Sequence, residues 1–264
     1  MSPLDAEIEV LAKPRDRDRP SWPVRVLLTG WLFVLIAWLG ILSLPWNAVA
    51  MVLKPLFDGP RMRQVGQAAI SHIYRFYWRC ARWSGMMRLE AGSLDVLRDV
   101  PGGLVIAANH PSMLDAMMIV ARLPRSVCVM KGALRRNPFL GPGANLAGYV
   151  ANDHIRTMVR DSVERLGEGC QLVVFPEGTR STGPRQIHPF SRSIALIAHR
   201  ANAPVQTVVI ETDSPYLGKG WPLWKLPPLP IVFRARVGER FEPSADPEAL
   251  SARMEEYFRR ELRA

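Results

Sequence analysis

Residues 104–115 read Leu-Val-Ile-Ala-Ala-Asn-His-Pro-Ser-Met-Leu-Asp, and residues 171–181 read Gln-Leu-Val-Val-Phe-Pro-Glu-Gly-Thr-Arg-Ser. Each opens on a short apolar run with β-branched residues at its centre and breaks off at a proline-bearing polar turn. Such runs are buried strands, too short for helices and sharply bounded. Working outward, further strands are predicted near Ser126–Met130, Pro204–Ile210 and Ile231–Val237. Helical periodicity falls between and after them, near Ser112–Arg122, Ile155–Leu166, Pro189–Ala201 and Pro247–Leu262. Alternation of this kind predicts an α/β domain, a mostly parallel sheet flanked by helices. The 264 residues hold one such domain and a modest extra segment.

The chemistry-bearing residues sit where the two quoted strands end, the place where open α/β sheets put ligands. His110 and Asp115 are five apart, roughly 140° around a continuous helix. They meet only if His110 lies outside the helix and folds over its first turn, an entry that Pro111 favours. Asp115 would then fix the imidazole tautomer and raise the basicity of the other nitrogen, as in a catalytic triad whose hydroxyl comes from the substrate. Ser112 and Asp115 also match a helix capping box, in which the carboxylate merely serves backbone amides. In the second turn, Gly178 permits close backbone approach, Thr179 offers a hydroxyl, and Arg180 suits bidentate phosphate contact.

The His110-x-x-x-x-Asp115 spacing, with Phe175-Pro176-Glu177-Gly178-Thr179-Arg180 about 65 residues further on, resembles the glycerolipid (lysophospholipid) acyltransferase family, with the bacterial lysophosphatidate acyltransferases as models. Lys131-x-x-Leu134-x-x-x-Pro138 with Gly141 and Gly148 is similar to the family's second block, and Ala203-Pro204-Val205 to its last. The resemblance implies the glycerolipid acyltransferase fold and an O-acyltransferase. Its donor would be acyl-CoA or acyl carrier protein, its acceptor a membrane lysophospholipid such as lysophosphatidate. It implies His110 as general base assisted by Asp115, and an acceptor site of Glu177, Gly178, Thr179 and Arg180, aided by Lys131. No metal or cofactor is implied. The place implied is a bacterial inner membrane, with the catalytic domain facing the cytoplasm. Two positions depart from the pattern: Asp153 stands about where many relatives carry an arginine, and Ser193 where glycine is common. An acceptor other than a glycerophosphate, in a specialised lipid pathway, is the alternative. A thioester hydrolase or a non-catalytic lipid-binding protein are lesser ones.

Towards the N-terminus, residues 1–23 mix acids, bases and prolines and predict a flexible polar arm. Val26–Leu44 is 19 residues without a charge, nearly the length that spans a hydrocarbon core. A signal peptide and a buried core helix fit such a run too, but the first has a shorter apolar stretch and the second is rarely apolar all round. Residues 24–60 are therefore expected to insert in a membrane, as a helix or as a re-entrant segment bent at Pro45. Basic residues flank both ends and favour the re-entrant form. The acyltransferase domain would occupy 61–264. It would open on a basic amphipathic helix near 62–84, with Val65, Ala69, Ile73, Phe76, Cys80 and Trp83 as its apolar stripe and Arg75, Arg79 and Arg82 as a basic one.

A formal net charge of +10 fits an anionic bilayer surface as partner. Nucleic acid would explain the charge but not the apolar run, and no zinc or RNA-binding signature accompanies it, so no nucleic-acid partner is expected. Three isolated cysteines read as reduced, buried thiols. The Pro/Trp-rich stretch Trp221–Pro230 cannot be helical throughout and is expected as a packed surface loop or a bilayer-dipping one.

Overall fold

The structure is a computed structural model that describes residues 20–181 and 187–263; most of the polar arm expected over 1–23 lies outside them. Seven strands form one sheet in the order β1-β7-β6-β2-β5-β3-β4. They are β1 Met87–Glu90, β2 Leu104–Ala108, β3 Ser126–Met130, β4 Val150–Ala151, β5 Gln171–Val174, β6 Val205–Thr212 and β7 Ile231–Phe241. Every neighbouring pair is parallel except β6 with β7. β2 and β5 are buried throughout, which parallel strands covered on both faces require. The eight described α-helices are α1 Trp22–Leu56, α2 Pro60–Trp83, α3 Asp115–Arg122, α4 Gly132–Arg135, α5 Gly141–Leu146, α6 Ile155–Gly167, α7 Ser193–Ala201 and α8 Pro247–Arg263.

Parallel pairing gathers the carboxyl ends of β2, β3, β5 and β6 on one edge of the sheet. Because β7 runs against β6, its first residue, Ile231, lies at that edge too. Met87 of β1 stands opposite Ile231, so the C-terminal end of α2 also arrives there. The N-terminal end of α2 is at the opposite edge, where Arg63 Nε donates to Glu168 Oε2 beyond α6.

One expectation about the N-terminal helices is narrowed and one is corrected. Of the helical and the Pro45-bent forms expected for residues 24–60, the structure has the helical one: α1 is a single helix of 35 residues that continues through Pro45 and Pro55. A proline there removes the donor for the Ile41 carbonyl, but packing just beyond it holds the axis. Asn47 Oδ1 accepts from Gly143 N of α5 at 2.9 Å, while its Nδ2 donates to Ser43 O at 2.8 Å. In α2 the stripe from Val65 to Trp83 is not the buried one. The helix packs through Gly66, Gln67, Ile70, Tyr77, Trp78 and Ala81, and leaves Val65, Phe76 and Trp83 exposed. The cause is close approach: a Cβ on Gly66 would lie 2.9 Å from the Ala147 backbone. Small and polar residues thus form the contact that apolar periodicity assigns elsewhere.

Candidate active site

β2 is followed by Asn109, whose side chain continues the pairing with β6 in place of backbone. Its Nδ2 donates to Ile210 O at 2.8 Å and its Oδ1 accepts from Ile210 N at 2.7 Å. The chain is thereby free to turn at His110. α3 begins only at Asp115, so His110 stands outside the helix and reaches back over its start. His110 Nδ1 lies 2.8 Å from Asp115 Oδ2, and the same oxygen accepts from Ser112 N at 2.8 Å. Pairing and capping, which the sequence offers as alternatives, share one carboxylate. Asp115 is fully buried, and burial pushes its carboxyl up to about 6 against the lowering effect of the His110 hydrogen bond. In a neutral imidazole that donates Nδ1–H to Asp115, the free lone pair is on Nε2.

The second turn clamps the first. Glu177 Oε1 accepts from His110 N at 3.1 Å, and Ser181 N donates to His110 O at 2.8 Å. The His110 ring stacks on Phe175, centroids 4.1 Å apart and planes 19° apart. Gly178 adopts φ +65°, a left-handed conformation that admits glycine at little cost and lets the turn close. Glu177 is buried, with the Ser181 hydroxyl and His188 N as its other donors. It does not line the cavity, in contrast to the acceptor-site place that the resemblance implies. Gly178, Thr179, Arg180 and Lys131 do line it, together with His110. Arg180 is partly committed: its Nη1 donates to Leu217 O at 2.9 Å and Gly218 O at 3.1 Å. Asp153 accepts from Gly132 N and pairs with Arg136 at 2.6 Å, which holds its carboxyl below the usual range.

From His110 a mostly apolar cavity of about 890 Å³ runs past Met117, Cys128 and Tyr149 to Leu39, Ser43 and Trp46 of α1. Its size falls in the range of sites that enclose small ligands, about 300–1,000 Å³. Burial pushes the Cys128 thiol up to about 12, so it stays a protonated apolar wall residue. Phe175 and the α1 wall are site residues that the sequence reading missed. Ser43 and Asn47, polar residues inside an apolar run, were the signal for the second. Among the described residues, no group of three or more His, Cys, Asp or Glu is placed to hold a metal ion.

A carboxylate-held histidine thus stands at the end of a buried parallel strand, over an apolar cavity. A family model described as Acyltransferase matches residues 90–211 of this chain. A 1-acyl-sn-glycerol-3-phosphate acyltransferase of Helicobacter pylori is 29% identical over 48% of this chain and 54% of its own length. A lyso-ornithine lipid O-acyltransferase of Rhizobium meliloti is 31% identical over 62% of this chain and 51% of its own. The chain thus spans about half the length of the curated relatives it matches. The crystal structure of the 1-acyl-sn-glycerophosphate acyltransferase of Thermotoga maritima shares the fold, with a TM-score of 0.65 and 20% identity over 90% of this chain and 95% of that one.

Proposed function

We propose that this protein transfers a fatty acyl group from a thioester donor, acyl-CoA or acyl carrier protein, to the hydroxyl of a membrane-borne lysophospholipid. The observation that carries the reading is the 2.8 Å contact between His110 Nδ1 and Asp115 Oδ2 at the head of the apolar cavity. His110 Nε2 takes the acceptor's proton as its oxygen attacks the thioester carbon, a step typically worth about 10²–10⁴-fold. Collapse of the tetrahedral oxyanion breaks the C–S bond, and the imidazolium returns the proton to the departing thiolate. Asp115 holds the tautomer and offsets the imidazolium charge. The cavity takes the acyl chain, and Lys131, Thr179 and Arg180 receive the head group. α1 is long and apolar enough to cross a membrane and is exposed over most of its surface, which supports insertion and a bilayer-borne acceptor.

Asp153 and the partial commitment of Arg180 favour a second reading, in which the acceptor carries no glycerophosphate. Purified full-length protein should be assayed with both donors against lysophosphatidate, lyso-ornithine lipid and a neutral monoacylglycerol, with His110→Ala alongside. Transfer lost in the variant supports the mechanism, and the preferred acceptor selects between the readings. Free fatty acid in place of acylated lipid, or full turnover without the imidazole, would reject it.

A further inference from the structure

The Pro/Trp-rich loop between β6 and β7 has no part in the proposed chemistry, yet its base adjoins the mouth of the cavity. Tyr216 O accepts from Ser112 Oγ, and Leu217 O accepts from Met113 N and Arg180 Nη1. Lys219 lines the cavity itself. The loop then closes into a built turn. Lys225 N donates to Pro222 O at 3.1 Å, Trp221 Nε1 donates to Lys225 O at 3.2 Å, and Lys225 Nζ sits 4.6 Å over the Trp221 ring. Trp221 is folded under, while Leu223 and Trp224 crown the tip at 40% and 77% exposure.

What lies beyond this edge of the sheet identifies the occupant. Trp83, 79% exposed, ends α2 just before Met86, whose carbonyl accepts from Ile231 N where the loop rejoins the sheet. α1 and α2 meet at the turn 57–59 and pack as neighbours, as helices joined by so short a connection do. At about 1.5 Å per residue, α1 is about 52 Å long and α2 about 36 Å, so helices laid side by side back from that turn leave about 16 Å at the start of α1 beyond the length of α2. That extra length carries the exposed Trp22, Leu27 and Trp31. Three apolar elements therefore lie at the carboxyl edge of the sheet that also holds His110, and Lys219, Lys225 and Arg82 flank them. Tryptophan beside lysine and arginine at the border of an apolar surface is the composition of a membrane interface.

We propose that the Trp221–Lys225 turn, with Trp83, is a second bilayer contact separate from α1, seating the carboxyl edge of the sheet on an anionic leaflet so that the cavity mouth opens at head-group depth. The proposal rests on insertion of α1 and not on the chemistry at His110. The test uses full-length protein with Cys80→Ser, since Cys128 and Cys170 are buried. Nitroxide labels go at Trp224→Cys, at Trp31→Cys on α1, and at Glu242→Cys on the opposite edge, in vesicles of phosphatidylcholine and phosphatidylglycerol in equal parts. The ratio of oxygen to nickel-chelate collision should be several-fold higher at 224 and 31 than at 242. A lipid-like ratio at 31 with a water-like ratio at 224 overturns the second contact and leaves α1 inserted. A label at 224 shielded from both agents, as against a second copy or a carrier protein, overturns it as well. Water-like ratios at 31 and 224 together remove both contacts.

Discussion

Replacing Glu177 by glutamine separates its place in the structure from the acceptor-site place that the family motif implies. The Glu177 carboxylate accepts from His110 N, His188 N and Ser181 Oγ at 2.9–3.1 Å. Glutamine keeps the shape but turns one acceptor oxygen into a donor, which then faces a backbone N–H. A hydroxyl can rotate to accept instead; an amide cannot. One buried N–H is left unsatisfied, at a cost of about 1–3 kcal/mol. For a domain of this size that lowers the melting temperature by about 2–4 °C per kcal/mol. The His110 backbone loosens, so kcat should fall about 10- to 100-fold, equivalent to about 1.4–2.7 kcal/mol of barrier. KM for the lipid acceptor should hardly move, because Glu177 does not line the cavity. Steady-state acyl transfer in detergent micelles, paired with a thermal melt, reads both quantities. A raised KM with unchanged kcat and an unchanged melt would refute the clamp and restore Glu177 to the acceptor site.

His110→Ala should abolish transfer while the protein still floats with vesicles; measurable turnover would dismiss the imidazole as base. The Asp115 carboxyl sits near pH 6 because of burial, so kcat/KM should fall as pH drops through about 6, and Asp115→Asn should flatten that limb along with lowering the rate. The same shift has a stability sign. Between the ordinary carboxyl value of 3.8 and about 6 the folded state binds more protons than the unfolded one, so this carboxyl's contribution weakens as pH rises through that window, which a pH series of melts measures. Arg180→Ala should disturb the Leu217–Gly218 turn and hurt phosphorylated acceptors most; equal loss on a neutral acceptor would confine it to bracing the loop. Gly66→Ala should destabilise by about 1–3 kcal/mol through its clash with the Ala147 backbone, visible as a lower melting point.

The sheet's centre was legible because burial on both faces demands continuous apolar runs. β2 and β3 fall where the sequence puts them, and β5 ends one residue early, before Phe175. β1 is four residues that alternate Met-Arg-Leu-Glu, and β4 is two residues; neither makes a pattern against its surroundings. β7 extends past its predicted end because Arg240 and Phe241 stay paired with Gln206 and Val205 of β6, a partner that local sequence does not show. At the site, residue types and spacing disclosed His110 with Asp115, since five positions leave one geometry in which they touch. The direction of Glu177 was hidden, because the partner that ties it to the site is the His110 amide, 67 residues back in the chain. So was the true inner face of α2, where Gly66 and Gln67 do the packing that apolar periodicity assigns to Val65.

Asn47 and Trp46 give the apolar N-terminal helix a duty beyond attachment. With Leu39 and Ser43 they close one side of the cavity that starts at His110. Removing the first 59 residues to obtain a tractable soluble fragment would therefore unroof the tunnel, spilling the hydrocarbon tail into water while leaving the imidazole and its carboxylate untouched. A silent fragment of that kind would report a breached container, and would say nothing about whether the chemistry at its head is intact.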